Sequence, residues 1–409
     1  MNRTVRAGER SGTVAAVASK SMAHRLLIAT AFGKQKTVLF CRDLSKDILA
    51  TVDCLRALGA EIKMEDGAIA VDPIVQRKKE LCKLPCGESG STLRFLLPLV
   101  GALGVTAVFE MEGRLPERPL APLDEELTRH GMTLRKEKNL LFCEGKLMPG
   151  QYTVAGNISS QYISGLLFAL PLLAGDSMLS VTETVESKDY IMLTEQTLKK
   201  GHVVFTKEQN NYQIKGAQRF ALGREETVEG DYSNAAYLEI LNDAGGNVIL
   251  TGLRADSLQG DRVYGDYLRK IREGTPELDV TDCPDLAPAL IAAAAMHHGA
   301  RLTGTRRLRL KESDRGAAMT EEMAKFGILL ENGENEIVIP DAEPRRPADR
   351  LSGHNDHRIV MALAAVCVKT GGEIDGAEAV RKSFPGYWER LKVSGIRCQV
   401  SEEQAPGNS

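Results

Sequence analysis

A chain of 409 residues is too long for a single hydrophobic core, so the first expectation is two domains of roughly 200 residues each. Hydrophobic residues make up 43% and charged residues 26%, as in ordinary globular proteins, and the net charge of −3 leaves no global positive field for nucleic acid. The N-terminal MNRTVRAGERSG lacks the apolar run of a signal peptide, and stretches such as Leu286–Met296 are too short to cross a bilayer. The expected setting is the cytoplasm, with no membrane and no nucleic-acid partner. The eight cysteines (Cys41, Cys54, Cys82, Cys86, Cys143, Cys283, Cys367 and Cys398) have no histidine at zinc-site spacing, and reduced, buried thiols are the expectation.

In chain order, one pattern recurs six times: an amphipathic helix, a glycine, then a short strand. The copies are TVDCLRALGAEIKM, LDEELTRHGMTLRK, LTEQTLKKGHVVFT, YLRKIREGTPELDV, MTEEMAKFGILLEN and YWERLKVSGIRCQV. Their glycines, Gly59, Gly131, Gly201, Gly274, Gly327 and Gly395, are separated by 72, 70, 73, 53 and 68 positions. Glycine is expected to close each helix in the left-handed conformation. Most copies continue through a polar turn into a second strand, as in MEDGAIAV, EKNLLFCEG, EQNNYQIKG and ENGENEIVIP. Six copies suggest two domains of three α/β units each. The fourth copy fits least well, because Pro276 interrupts its strand.

Between these helices lie short polar motifs, mostly where the chain enters an apolar helix. Unpaired N–H groups and the positive end of the helix dipole make such places favourable for anions. The first is Ser19-Lys20-Ser21-Met22-Ala23-His24-Arg25, with Ser19 or Ser21 as cap. In Cys86-Gly87-Glu88-Ser89-Gly90-Ser91-Thr92-Leu93-Arg94, the glycines allow close approach to a ligand and Ser91 or Thr92 is the expected cap. Arg118 follows in Gly113-Arg114-Leu115-Pro116-Glu117-Arg118-Pro119. Ser159, Ser160 and Gln161 open the helix ISGLLFALPLL, and Glu186-Ser187-Lys188-Asp189-Tyr190 follows. Asp285 enters the alanine-rich helix LAPALIAAAAM, where an aspartate is ordinarily a cap but becomes a proton acceptor if cations surround it. The last three are Arg309-Leu310-Lys311-Glu312-Ser313-Asp314-Arg315, then Asp356-His357-Arg358, with Asp356 expected to cap its helix and pair with Arg358, and Arg381-Lys382-Ser383-Phe384-Pro385. Taken singly, each motif fits a helix cap or a solvated charge. Together they would gather cations and hydroxyls at one face, as an enzyme for anionic substrates requires.

The ordered set SKSMAHR, GESGSTLR, PERPL, SSQY, ESKDY, VEGDYSNAAY, CPDLAP, LKESDR, DHR and KSFPGYW resembles the 5-enolpyruvylshikimate-3-phosphate synthase family of enolpyruvyl transferases, over nearly the whole chain. That resemblance implies an α/β fold, a two-domain inverse αβ barrel of six βαβαββ repeats, three per domain. It implies one discontinuous domain of residues 1–18 plus 228–409 and an inserted domain of residues 19–227, with the active site in the cleft between them. It implies transfer of the carboxyvinyl group of phosphoenolpyruvate to the 5-hydroxyl of shikimate 3-phosphate. Phosphate is released through a tetrahedral intermediate, with no metal and no cofactor, in aromatic amino-acid biosynthesis.

Carried over by motif, Lys20, Gly90, Arg118, Gln161, Arg315, Arg358 and Lys382 would meet phosphoenolpyruvate. Ser21, Arg25, Ser159, Ser160, Gln161, Ser187, Tyr190, Asp285 and Lys311 would meet shikimate 3-phosphate, the three serines Ser159, Ser160 and Ser187 holding its phosphate. Asp285 and Glu312 would carry protons, with Lys20 as a third participant. The expected oligomeric state is a monomer. Departures from the family pattern are Val17-Ala18 before the first motif, Glu88 where many members have Asn, Phe95 in place of a Pro, and Arg307 where some members have Asn. The sister activity on UDP-N-acetylglucosamine is disfavoured because the loop Gly113–Arg118 has no cysteine. A non-catalytic binding member is disfavoured because Asp285, Glu312, Lys20 and Lys311 are all retained.

Overall fold

The computed structural model describes residues 1–76 and 80–393. The predicted Gly395 and the strand after it lie outside these residues, as does Cys398. By internal packing the chain forms two units. A central unit holds Ala18–Asp231 and Arg254–Gly260, and a terminal unit holds Met1–Val17, Tyr232–Leu253 and the described residues from Asp261 on. Each has its own continuous apolar core.

The central unit contains three copies of one βαβαββ motif. The middle copy runs Cys82–Gly87, helix Gly90–Leu103, Ala107–Met111, helix Leu123–Arg129, and the hairpin Met132–Glu137 and Leu140–Gly145. Its first two strands pair in parallel, and the last strand of the hairpin inserts antiparallel beside the second. The third copy repeats this with Gln151–Ala155, helix Ser160–Ala169, Ser177–Thr182, helix Lys188–Lys200, Phe205–Glu208 and Asn211–Ile214. The first copy has helix Lys20–Ala31, Thr37–Phe40, helix Lys46–Leu58, Glu61–Glu65 and Ala68–Asp72, and takes its missing first strand, Glu225–Thr227, from the far end of the unit.

The terminal unit varies the same theme. Glu277–Asp279, helix Ala287–Met296, Ala300–Thr303, helix Arg315–Lys325, Glu331–Asn332 and Glu336–Ile339 form a full copy. The last copy pairs Leu351–Ser352 with Gly372–Asp375 around helix His357–Thr370, and the chain start, Arg3–Val5, adds antiparallel to it. The fourth copy is shortened. Ser11–Ala15 and Asn247–Thr251 pair in parallel with helices Tyr232–Glu239 and Tyr264–Glu273, and no hairpin follows before Glu277–Asp279 opens the next sheet. The missing hairpin accounts for the spacing of 53 rather than about 70 between Gly274 and Gly327, and for the interruption at Pro276.

Two kinds of helix carry the motif. The first helix of a copy is apolar around most of its length and largely enclosed, most completely in Ala287–Met296 and His357–Val368, where every residue is buried. The second is amphipathic. Lys46–Leu58 buries Ile48, Thr51, Val52, Leu55 and Leu58 along one stripe, is capped by Ser45, and ends at Gly59 with φ 113°. The left-handed glycine closes the helix as expected near Gly59, Gly131 and Gly327. At Gly201 the expectation fails. Gly201 has φ −80°, and His202, with φ 54°, takes the left-handed turn one residue later. Gly274 is extended, with φ 169°, because the chain leaves its helix directly for the next strand.

Gly327→Ala is expected to destabilise by about 1 kcal/mol in urea unfolding. Its φ is 84°, and the nearest atom to an added Cβ lies 4.0 Å away, so the cost is backbone strain alone. Gly265→Ala, inside a helix at ordinary φ with nothing within 4 Å, should stabilise by roughly 0.5–1 kcal/mol.

Candidate functional site

In the terminal unit, Asp285, Lys311, Glu312, Arg315 and Arg358 meet. Asp285 lies just before helix Ala287–Met296 but is not its cap. Its carboxylate accepts from Lys311 Nζ at 3.1 Å, Arg315 Nη1 at 2.7 Å and Arg358 Nη2 at 3.4 Å. Arg315, the first residue of helix Arg315–Lys325, is 1% exposed and divides its guanidinium among three carboxylates. Nη2 donates to Glu312 at 2.9 Å and Nε to Asp356 at 2.9 Å. Burial works against its charge, but Asp356, Asp285 and Glu312 outweigh burial and hold the guanidinium well above its usual range. Lys311 is pushed below the usual ammonium range, first by burial and then by Arg315 and Arg307, against the opposing pull of Asp285 and Glu312.

Asp356 is wholly buried and caps helix His357–Thr370 by accepting from Arg358 N–H at 2.9 Å. The cap agrees with the sequence reading; the expected ion pair does not. The Asp356 carboxylate pairs with Arg315 and accepts from Ser313 Oγ at 3.0 Å, whereas the Arg358 guanidinium points to Asp285 and to Asn234 Oδ1 at 3.3 Å. Arg358 also lies 5.3 Å from the Tyr237 ring, whose hydroxyl donates to the Asp285 carbonyl at 3.0 Å. Lys382 joins the group through the Asn355 carbonyl, at 2.5 Å. Asn234 and Tyr237 carried no role in the sequence reading. Their only signal there was the motif VEGDYSNAAY.

In the central unit the predicted residues gather at helix N-termini. Ser19 caps helix Lys20–Ala31, and Lys20 Nζ is 2.9 Å from Asp47, a partner that no sequence pattern marks. Ser89, not Ser91 or Thr92, caps helix Gly90–Leu103. An added Cβ at Gly90 would meet the Arg94 guanidinium at 2.6 Å and the Arg118 guanidinium at 2.8 Å, so only glycine lets those cations rest on this backbone. Arg94 donates to Gln161 Oε1 at 3.2 Å and to the Pro119 carbonyl at 3.0 Å, and Gln161 Nε2 donates to Ser91 Oγ at 3.0 Å. Gly90, Arg118 and Gln161 are thus one cluster. Glu88 lies over the backbone of Gly113, in the turn before Arg118.

Ser159 caps helix Ser160–Ala169 by accepting from Gln161 N–H. Ser187 is buried in the left-handed conformation, with φ 54°, and its hydroxyl makes no cap bond. Arg25 donates to the carbonyls of Ser21 and Tyr190, both at 2.7 Å, and to Thr194 Oγ1 at 2.9 Å. Burial lowers its pKa to about 9, with Tyr190 opposing, so it stays charged near neutral pH.

Buried hydrogen bonds tie these helix starts together. Thr194 Oγ1 donates to Ser164 Oγ at 2.8 Å. On the other side His24 Nδ1, Thr51 Oγ1, Thr92 Oγ1 and Ser89 Oγ follow at successive separations of 2.7 Å. The first helices of all three copies are therefore linked side chain to side chain. None has an acidic residue in its first turn, and neither do helices Arg315–Lys325 and His357–Thr370.

The described cysteines are buried free thiols. Among the described residues one group, Glu321, Glu322 and His354, has ligand atoms close enough for a metal ion, but the Glu322 oxygens already accept from Lys325, His354 and Ser352 N–H. No helix among them is long and apolar enough to cross a membrane.

The family described as EPSP synthase (3-phosphoshikimate 1-carboxyvinyltransferase) matches residues 6–391. The chain belongs to the EPSP synthase family. It is 36% identical over 406 residues to the 3-phosphoshikimate 1-carboxyvinyltransferase of Clostridium kluyveri, covering 94% of this chain and 95% of that one. Identity to the enzyme of Brachyspira hyodysenteriae is 32%, covering 97% and 99%. The fold is that of EPSP synthase from Acinetobacter baumannii, with a TM-score of 0.77 at 22% identity, over 98% of this chain and all of the other. The enolpyruvyl transferase NikO from Streptomyces tendae follows, with a TM-score of 0.76 at 16% identity, over 97% of this chain and 98% of that one. The α/β architecture of repeated βαβαββ units is the family's two-domain inverse barrel.

Asp356→Asn keeps a capping side chain but removes the charge that balances Arg315. A loss of about 3 kcal/mol in urea unfolding is expected. Asp314→Asn, at a cap whose side chain accepts from Ala317 N–H in an exposed hydrogen bond, should cost less than about 0.5 kcal/mol.

Proposed function

We propose that this chain transfers the enolpyruvyl group of phosphoenolpyruvate to the 5-hydroxyl of shikimate 3-phosphate, releasing inorganic phosphate. The observation that carries the reading is the convergence of Lys311, Arg315 and Arg358 on the Asp285 carboxylate, with Glu312 on the same guanidinium. A base that must act among polyanions needs cations around it, and a second carboxylate beside it offers a separate proton carrier.

The chemistry proceeds in two stages. In the addition, the 5-hydroxyl gives its proton to Asp285 and its oxygen bonds to C2 of phosphoenolpyruvate. The C3 methylene takes a proton from Glu312, with Lys20 as a third participant. In the elimination, C2 loses phosphate and the new methyl group returns a proton, restoring the vinyl group. Arg315, Arg358, Lys382, Lys20, Arg118, Gln161 and the Gly90 backbone are assigned to phosphoenolpyruvate. Ser21, Arg25, Ser159, Ser160, Gln161, Ser187, Tyr190, Asp285 and Lys311 are assigned to shikimate 3-phosphate. The helices that begin at Lys20, Arg315 and His357 carry no acid in their first turns, which supports the assignment because the positive end of the helix dipole favours an anion there. The reading requires both residue sets to serve one reaction, in a cleft between domains 1–18 plus 228–409 and 19–227. It also carries the expectation of a monomer acting in the cytoplasm without metal or cofactor.

Mixing the protein with both substrates in metal-free buffer should release phosphate, and no release above background would sink the proposal. Asp285→Asn and Glu312→Gln should each lower kcat by about 100-fold or more while changing substrate KM values only a few-fold. Loss of binding without loss of kcat would assign them to binding instead.

A further inference from the structure

Just before Asp356 the backbone does something unusual. His354 and Asn355 are consecutive residues in the left-handed region, with φ 47° and 51°. L-residues avoid this conformation, and two in a row persist only where the surroundings enforce them. The Asn355 carbonyl receives Lys382 Nζ at 2.5 Å. The next residue, Asp356, orients Arg315 and caps the helix that carries Arg358 in its first turn. Three of the cations assigned to phosphoenolpyruvate therefore depend on one tight turn.

What enforces the turn is Glu322, whose side chain is 0% exposed. One of its oxygens accepts from Ser352 N–H at 2.9 Å, ahead of the turn. The other accepts from His354 Nε2 at 3.0 Å, inside it. Lys325 Nζ, one helical turn along, neutralises both oxygens at 2.9 Å. Burial disfavours the Glu322 charge, but His354, Lys325 and the Ser352 N–H outweigh burial and hold its pKa below the usual carboxylate range. The Glu322 bond correspondingly raises that of His354. With its oxygens taken up by internal donors, the group is better suited to holding backbone than to holding a metal.

We propose that Glu322 and His354 are positioning residues for the phosphoenolpyruvate half of the site: by clamping the strained turn at His354-Asn355, they set Lys382, Arg315 and Arg358 at the separation the substrate needs. The inference rests on the enolpyruvyl-transfer reading for its substrate, though not for its mechanics.

Glu322→Gln preserves shape but weakens the bonds to His354 and Lys325. The expected result is a rise of about tenfold in KM for phosphoenolpyruvate, with KM for shikimate 3-phosphate within about twofold of the unsubstituted protein. His354→Ala should act in the same direction, and His354→Gln, which restores an N–H donor, should recover most of the loss. Equal changes in both KM values, or an His354→Ala variant like the unsubstituted protein, would overturn the proposal. The histidine pair keeps the test open if Glu322→Gln does not fold. Amide hydrogen exchange over residues 351–359 of the full chain gives a reading that needs no turnover. Both His354→Ala and a folded Glu322→Gln should speed it, and unchanged exchange would overturn the clamp even if the transfer activity were absent.

Discussion

A guanidinium with 1% exposure sits at the positive end of a helix, where burial and the helix dipole both oppose its charge. Arg315 is held there by three carboxylates reached through different parts of the fold. Asp285 precedes the first helix of one copy, Glu312 belongs to the turn after its second strand, and Asp356 caps the first helix of the next copy. Each carboxylate is costly to bury alone, and so is the arginine. The arrangement is favourable only when all are present, so packing of the terminal unit and assembly of its carboxylate cluster are the same event. Arg358, Asn234 and Tyr237 extend the network onto the remaining copy, so all three copies of the unit contribute.

The central unit uses weaker means to a similar end. Its charged groups are spread over several helix starts and linked by hydroxyls and amides. Thr194, Ser164, Thr51 and Thr92 are small and buried, and each completes a bond that would otherwise leave a polar atom without water. Burial, with Lys20 and Arg25 adding to it, holds His24 well below its usual pKa, so this part of the chain of bonds is neutral. A neutral, directional framework holds the buried Arg25 and Arg94 and the partly buried Lys20 and Arg118 without adding further charge to the helix ends.

Much of this was legible in the sequence because it follows from period and order. Helical spacing followed by glycine gave the amphipathic second helices, and the near-constant interval gave the repeat. The interval of 53 already marked the shortened copy, but spacing alone could not say that a hairpin was missing rather than a helix displaced. The strand exchanges, Glu225–Thr227 into the first sheet and Arg3–Val5 into the last, are long-range pairings that local pattern does not encode. Among the candidate site residues, those at helix starts stand out in the sequence by residue type. Their partners were less so. Asp47 looks like an ordinary first-turn acid, and the choice of Arg315 rather than Arg358 for Asp356 depends on where two helices point. Glu322 is invisible in sequence, since a glutamate in an amphipathic helix is expected to face water.

The pairing of Arg3 with Ile374 has a consequence for how the protein is made. Synthesis proceeds from the N-terminus, so the first strand leaves the ribosome hundreds of residues before the strand that will hold it. Helix, turn and hairpin of the central unit can close locally in the meantime, because its residues are contiguous apart from Arg254–Gly260. The terminal unit cannot. Its opening strands must remain unpaired while another body folds between them and their partners, a period in which exposed strand edges invite wrong associations. The short length of Arg3–Val5 and the charge around it, in NRTVRAGER, limit that risk, so the nascent segment stays soluble while it waits.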